Sequence, residues 1–142
     1  MLIIGYGNPH RGDDAAGILV AEQLRVFGVE TTIHTGDALA LIDLWKHCEQ
    51  VTMIDTVVTG EKAGTIRNWN VDELLSVESR SPSTHGFGLA EAIRLARSLH
   101  CLPSQMCLYG IEGRRFEIGD PMSAEVKSAV KIVVRQIADT NP

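Results

Sequence analysis

Leu2-Ile3-Ile4-Gly5-Tyr6-Gly7-Asn8-Pro9-His10-Arg11-Gly12-Asp13-Asp14-Ala15-Ala16-Gly17 is the stretch that decides the fold. It begins with an unbroken apolar run, the pattern of a strand buried on both faces of a parallel sheet. Three glycines (Gly5, Gly7 and Gly12) then fall within eight positions. Glycine tolerates positive φ and close backbone approach, so the chain makes a tight, uncovered loop here. An acidic pair, Asp13-Asp14, follows, and Ile18, Leu19, Ala21 and Leu24 take up helical spacing behind it. A strand that ends in a glycine loop and delivers two carboxylates to a helix start is how an α/β fold builds a site at the carboxyl edge of its sheet.

The same alternation continues outward from that loop. The spacing predicts a helix over Asp14 to Phe27, closed by Gly28, and a second strand over Val29 to Thr35. Asp37 has the character of an N-cap for a helix over Ala38 to Cys48, with Leu41, Leu44, Trp45 and Cys48 on one face. Val51 to Val58 is a third strand whose only charged residue is Asp55. A turn at Gly60 to Gly64 leads to a strand over Thr65 to Asn70, and its short connection makes it antiparallel to the third. Val71 to Pro82 reads as a short helical turn and then a loop, after which a helix is expected from Gly86 or Phe87 to His100, a strand over Gln105 to Ile111 and an amphipathic helix over Met122 to Ala138. The predicted class is α/β: one three-layer domain over residues 1–142. Its twisted, mostly parallel sheet has about five strands, one of them antiparallel, with helices on both faces.

Composition narrows the function classes. The chain has 142 residues, 44% apolar and 22% charged, with a net charge of −5. That balance argues against a phosphate-backbone binder, so no nucleic-acid partner is expected. No apolar run approaches the ~20 residues of a membrane span, and no basic segment leads into an apolar signal stretch. A cytoplasmic protein with no membrane partner is the expectation. The three cysteines, Cys48, Cys101 and Cys107, form no C-x-x-C pair and read as buried, reduced thiols.

Three polar features fall at the carboxyl edge of the predicted sheet: Asp13 and Asp14 after the first strand, Asp55 in the last half of the third, and His85 just before the next long helix. Carboxylates and an imidazole converging there suit a divalent metal of the nickel, zinc or manganese kind, with positions left for water or substrate. Plainer roles stand beside this one. Asp13 is placed to cap the first helix, with Asp14 in its first turn. His85 could be a capping or packed histidine, and His10 a solvated loop residue. Asp55 is harder to explain structurally, because an isolated carboxylate in a buried strand must be paired or ligating. His34, His47 and His100 have no supporting context.

Several motifs fail. Gly5-Tyr6-Gly7 lacks the third glycine of the dinucleotide fingerprint, and there is no P-loop and no H-E-x-x-H helix. A receiver-type signalling domain would explain Asp13, Asp14 and Asp55, but it places its acidic pair directly after the strand. It also needs a lysine ending the last strand, where Tyr109-Gly110-Ile111-Glu112 supplies none.

The order of motifs nevertheless resembles one family over nearly the full length, the nickel–iron hydrogenase maturation proteases. The anchors are the G-x-G-N-x4-D-D-x-x-G run from Gly5 to Gly17, Ile54-Asp55-Thr56, and Ser83-Thr84-His85-Gly86-Phe87-Gly88-Leu89-Ala90-Glu91. Leu108-Tyr109-Gly110-Ile111-Glu112-Gly113 and the run from Gly119 to Val126 also fit. The resemblance implies an endopeptidase that trims the C-terminal extension from the hydrogenase large-subunit precursor. It implies nickel, brought by the substrate and replaceable by other divalent metals, bound by Asp14, Asp55 and His85. These three are then also the catalytic set, with the metal acting as recognition signal or additionally as Lewis acid. Relatives carry glutamate where this chain has Asp14, and Gly-Val where it has Ala15-Ala16. Asp13, Gly5, Gly7 and Asn8 take supporting roles, and the Gly36-Asp37 loop is a candidate contact for the substrate tail. The implied partner is the precursor, and the implied state a monomer or weak oligomer. A non-catalytic maturation chaperone that binds nickel or precursor is the alternative.

Overall fold

The computed structural model describes residues 1–77 and 88–140. Five strands form one sheet: β1 (Leu2–Tyr6), β2 (Thr32–His34), β3 (Gln50–Val57), β4 (Ile66–Asn70) and β5 (Gln105–Glu112). Their order is β2-β1-β3-β5-β4; the first four run parallel and β4 lies antiparallel on the outer edge of β5. Helices α1 (Ala16–Val26) and α5 (Ala124–Thr140) pack on one face, and α2 (Leu41–Trp45), α3 (Val71–Ser76) and α4 (Leu89–Ser98) on the other. This is the three-layer α/β architecture expected.

The period of two along each strand sorts the core into two slabs. Ile4, Val51, Met53 and Leu108 face Leu41, Trp45, Leu74 and Ile93, whereas Ile3, Ile54 and Ile111 face Val20, Leu24, Val126 and Val130. Each such fully buried aliphatic side chain contributes roughly 1.5–3 kcal/mol of transfer free energy.

Three expectations change. The fourth strand is antiparallel, but to β5 and not to β3. The connection after Val57 steps across the neighbouring position, where Gly64 donates to the Glu112 carbonyl (2.8 Å) and Glu112 donates to that of Thr65 (2.9 Å). The first helix starts later, because Gly12–Ala15 forms a 3-10 turn ahead of it. The second helix is a 3-10 turn, Ala38–Ala40, followed by the short α2, which leaves Leu44 exposed while Leu41 and Trp45 are buried. The short helical turn expected from Val71 is present as α3, started by a capping box: Asn70 Oδ1 accepts from the Glu73 amide (2.8 Å) and Glu73 Oε1 from the Asn70 amide (3.0 Å). The cysteines are free and half-buried. Among the described residues no helix is long and apolar enough to cross a membrane.

Candidate active site

The glycine loop works through close approach. A Cβ on Gly17 would run into the carbonyl oxygens of Ile54 and Tyr6, and one on Gly5 into the Gly17 carbonyl. Bare backbone at both positions lets the start of α1 touch β1 and β3 directly. Gly7 is equally constrained, since a Cβ there would overlap the Asp14 carbonyl. Asn8 closes the loop: its amide donates to the Asp14 carbonyl (3.2 Å), and its side chain accepts from the His10 amide (2.9 Å). Gly5, Gly7 and Asn8 thereby fix where Asp14 sits.

Asp55 arrives by parity. It lies on the same face of β3 as Val51 and Met53, opposite Gly110 of β5, so it points toward the α2–α4 side at the carboxyl edge. Asp14 and Asp55 are 6% and 8% exposed, and among the described residues neither forms an ion pair. Burial pushes the Asp14 carboxyl up to about 7 against the opposing pull of the Arg11 charge and the Asn8 amide. Asp55 is raised well above the usual range by burial and then by the Asp14 charge. The Thr56 amide, donating to Asp55 Oδ1 at 2.8 Å, opposes this. Two buried carboxylates in one cleft, with no ion pair to either among the described residues, form a site suited to a positively charged ligand.

Both line a cleft of about 780 Å³. Its polar end holds Tyr6, Asn8, Thr35 and Gly36 with the two aspartates; Val58, Thr59 and Gly60 form a second wall, and Leu74, Leu75, Leu89 and Leu108 an apolar end. The Tyr6 hydroxyl donates to the Gly36 carbonyl (3.1 Å), and its ring stacks on His34 at 5.7 Å between centroids. Burial, then the charges of Asp55, Asp14 and Asp37, push the phenol up to about 12, so it stays a neutral donor at any physiological pH. His85 lies outside the described residues. Val77 and Gly88, which bound its segment, both line the cleft. Among the described residues no group of three or more His, Cys, Asp or Glu is arranged to hold a metal. Asp14 and Asp55 supply two hard oxygen donors, chemically suited to a divalent cation that brings or finds further ligands.

Asp13 has a different fate from the one expected. Its carboxylate does not cap a helix; no side chain caps either the 3-10 turn or α1. Instead, Oδ2 accepts from the amides of Arg114 (2.9 Å) and Arg115 (3.0 Å), and Oδ1 from the amide of Ser123 (2.7 Å), whose hydroxyl reaches both oxygens at 3.0 Å. Burial alone would raise this carboxyl, but those donors together outweigh it and hold it below the ordinary range. Asp13 therefore ties the glycine loop to the segment between β5 and α5.

The second loop divides in the same way. Gly36 lines the cleft, whereas Asp37 is occupied as a cap, accepting from the Leu39 amide at 2.9 Å. His10 is exposed and does not line the cleft. Sequence reasoning missed Tyr6 and His34 as a pair; Nε2 of His34 donates to the Asp37 carbonyl at 2.8 Å and braces this wall. It also missed Thr59 and Glu112, whose carboxylate accepts from the Thr59 amide and hydroxyl. Nothing short of the strand register would have paired residues 53 positions apart.

Comparison with known proteins accords with this geometry. A protein of Methanocaldococcus jannaschii named as a candidate hydrogenase maturation protease is 27% identical over 141 residues, covering 92% of this chain and 88% of that protein. Among solved structures, the [NiFe] hydrogenase maturation protease HybD from Thermococcus kodakarensis superposes with a TM-score of 0.78 at 23% identity, covering 99% of this chain and 98% of that one. The E. coli hydrogenase maturating endopeptidase HybD gives 0.75 at 20% identity, over 96% and 88% of the two chains. The family model described as hydrogenase maturation protease, HycI, matches residues 30–140, a span that contains Asp55 and His85 and begins after the glycine loop. The chain belongs to the hydrogenase maturation protease family.

Proposed function

We propose that this protein removes the C-terminal extension of a nickel–iron hydrogenase large-subunit precursor after nickel has been inserted. The observation that carries the reading is the pair of buried carboxylates, Asp14 and Asp55, that line one open cleft and form no ion pair among the described residues. Nickel enters as the precursor's cargo and meets Asp14 and Asp55, with His85 as third ligand. Other divalent metals can take its place, because the donor set is two carboxylate oxygens and an imidazole. Cleavage is thereby conditional on metal insertion: an unloaded precursor brings nothing for Asp14 and Asp55 to ligate. Held by Asp14, Asp55 and His85, the metal would serve as the recognition signal and could in addition supply Lewis acidity toward the scissile carbonyl and a water. Tyr6 and Gly36 on one wall and Thr59 on the other then hold the tail in place.

A processing assay tests this. Purified protein is mixed with matched precursor, with and without nickel in its active site, and the mass of the large subunit is followed. Loss of a C-terminal peptide from the nickel-loaded form alone is expected. Binding of precursor by folded protein with no cleavage would overturn the peptidase reading in favour of a chaperone.

A further inference from the structure

A third buried carboxylate shares the edge with Asp14 and Asp55 and has no part in the metal reading. Glu112 ends β5 on the same face as Asp55, opposite Val57, and is 3% exposed. Among the described residues it forms no ion pair. Both its oxygens lie 3.0 Å from the Thr59 amide, and Oε1 accepts the Thr59 hydroxyl at 2.5 Å. Its backbone meanwhile holds Gly64 and Thr65, so one residue grips both ends of the β3–β4 connection. A carboxylate with both oxygens on one residue's amide and hydroxyl holds that residue in a single place, and Thr59 with Gly60 lines the cleft. A buried carboxylate thus fixes a stretch of half-buried loop that lines the site.

We infer that Glu112 is a positioning residue: through Thr59 it sets the cleft wall at Val58–Gly60, against which the substrate tail is gripped. The inference rests on the proposed peptidase reading. Because the wall is in contact with the tail before and during cleavage, loosening it weakens ground state and transition state alike, and the effect falls on KM.

The test is processing kinetics on nickel-loaded precursor with Glu112→Ala, Glu112→Gln and Thr59→Val, together with hydrogen exchange at the Thr59 amide. Glu112→Ala is expected to raise KM about tenfold with kcat within about twofold, and to speed exchange at Thr59. Glu112→Gln keeps an acceptor for the amide and should restore KM to within about threefold of wild type. If Glu112→Ala does not fold, Thr59→Val carries the test, with a KM increase of about threefold or more. Unchanged KM in folded variants, or a fall in kcat with KM constant, overturns the positioning role. Wild-type protein that leaves the precursor intact overturns the peptidase reading itself.

Discussion

Asp13 and Asp14 are neighbours in sequence and opposites in circumstance. Asp13 sits among three amides and a hydroxyl, every one aimed at it, and its charge is held. Asp14 turns the other way, into a cleft where its nearest equal is another carboxylate. A buried carboxylate with donors on every side is architecture; one with few donors, pushed toward its neutral form in an open cleft, has the character of a functional site. The difference is set by a single step along a 3-10 turn.

The sharpest way to break the contrast is to neutralise the cleft pair. Asp55→Asn or Asp14→Asn should lower processing of nickel-loaded precursor by about 10²–10³-fold or more. Stability should hold or rise by about 0.5–2 kcal/mol, because a repulsion is removed. Parallel denaturant melts and mass-resolved processing check both halves. Unimpaired processing by either variant would remove that residue from the site.

On the other side of the turn, Asp13→Ala leaves buried amides without an acceptor and should destabilise the fold by about 3 kcal/mol or more. The urea midpoint measures it, and residual activity should follow the folded fraction.

The two regions also predict opposite pH limbs. Asp13 is depressed in the folded state, so its contribution is present above about pH 4 and is lost as the pH falls through its folded value. Asp14 is raised to about 7, so the folded protein binds more protons than the unfolded chain between about pH 4 and pH 7, and stability declines across that window. Asp55 acts in the same direction. Urea midpoints from pH 3 to pH 9 should trace a maximum at acid pH, and Asp55→Asn should flatten the descending limb. Divalent metal binding should tighten over the same window, because ligation requires the carboxylates deprotonated. The smallest effect is expected for Tyr6→Phe, which keeps the stack on His34 and loses only the bond to Gly36: about 1 kcal/mol of stability and a severalfold weaker KM.

Much of this was legible before any coordinates. The alternation of buried strands and helices carried the layers, and Asp55 announced itself as a lone charge in an apolar strand. Local chemistry carried Asp37 as a cap and Gly28 as a helix end, where φ is +80°. The fates of Asp13 and Glu112 were not legible, because their partners lie 101 to 110 and 53 residues away and are mostly backbone amides, which leave no mark in a sequence. The partner of β4 was missed for a related reason. A short connection favours a hairpin, but the register with β5 is decided by Gly110, whose missing Cβ leaves room for Trp69.

The Asp13 anchor has a consequence for synthesis on the ribosome. The loop that carries Asp14 leaves the exit tunnel about a hundred residues ahead of the groups that hold it, which belong to residues 114 to 123. The strand beside β3 is β5, which also emerges late. A nascent chain thus has both aspartates long before it has the frame that sets them face to face, and contacts of such separation form only once the distant segment is available. The setting of the two aspartates in one cleft therefore waits on β5 and on residues 114 to 123, and a chain interrupted before them lacks the frame of the site.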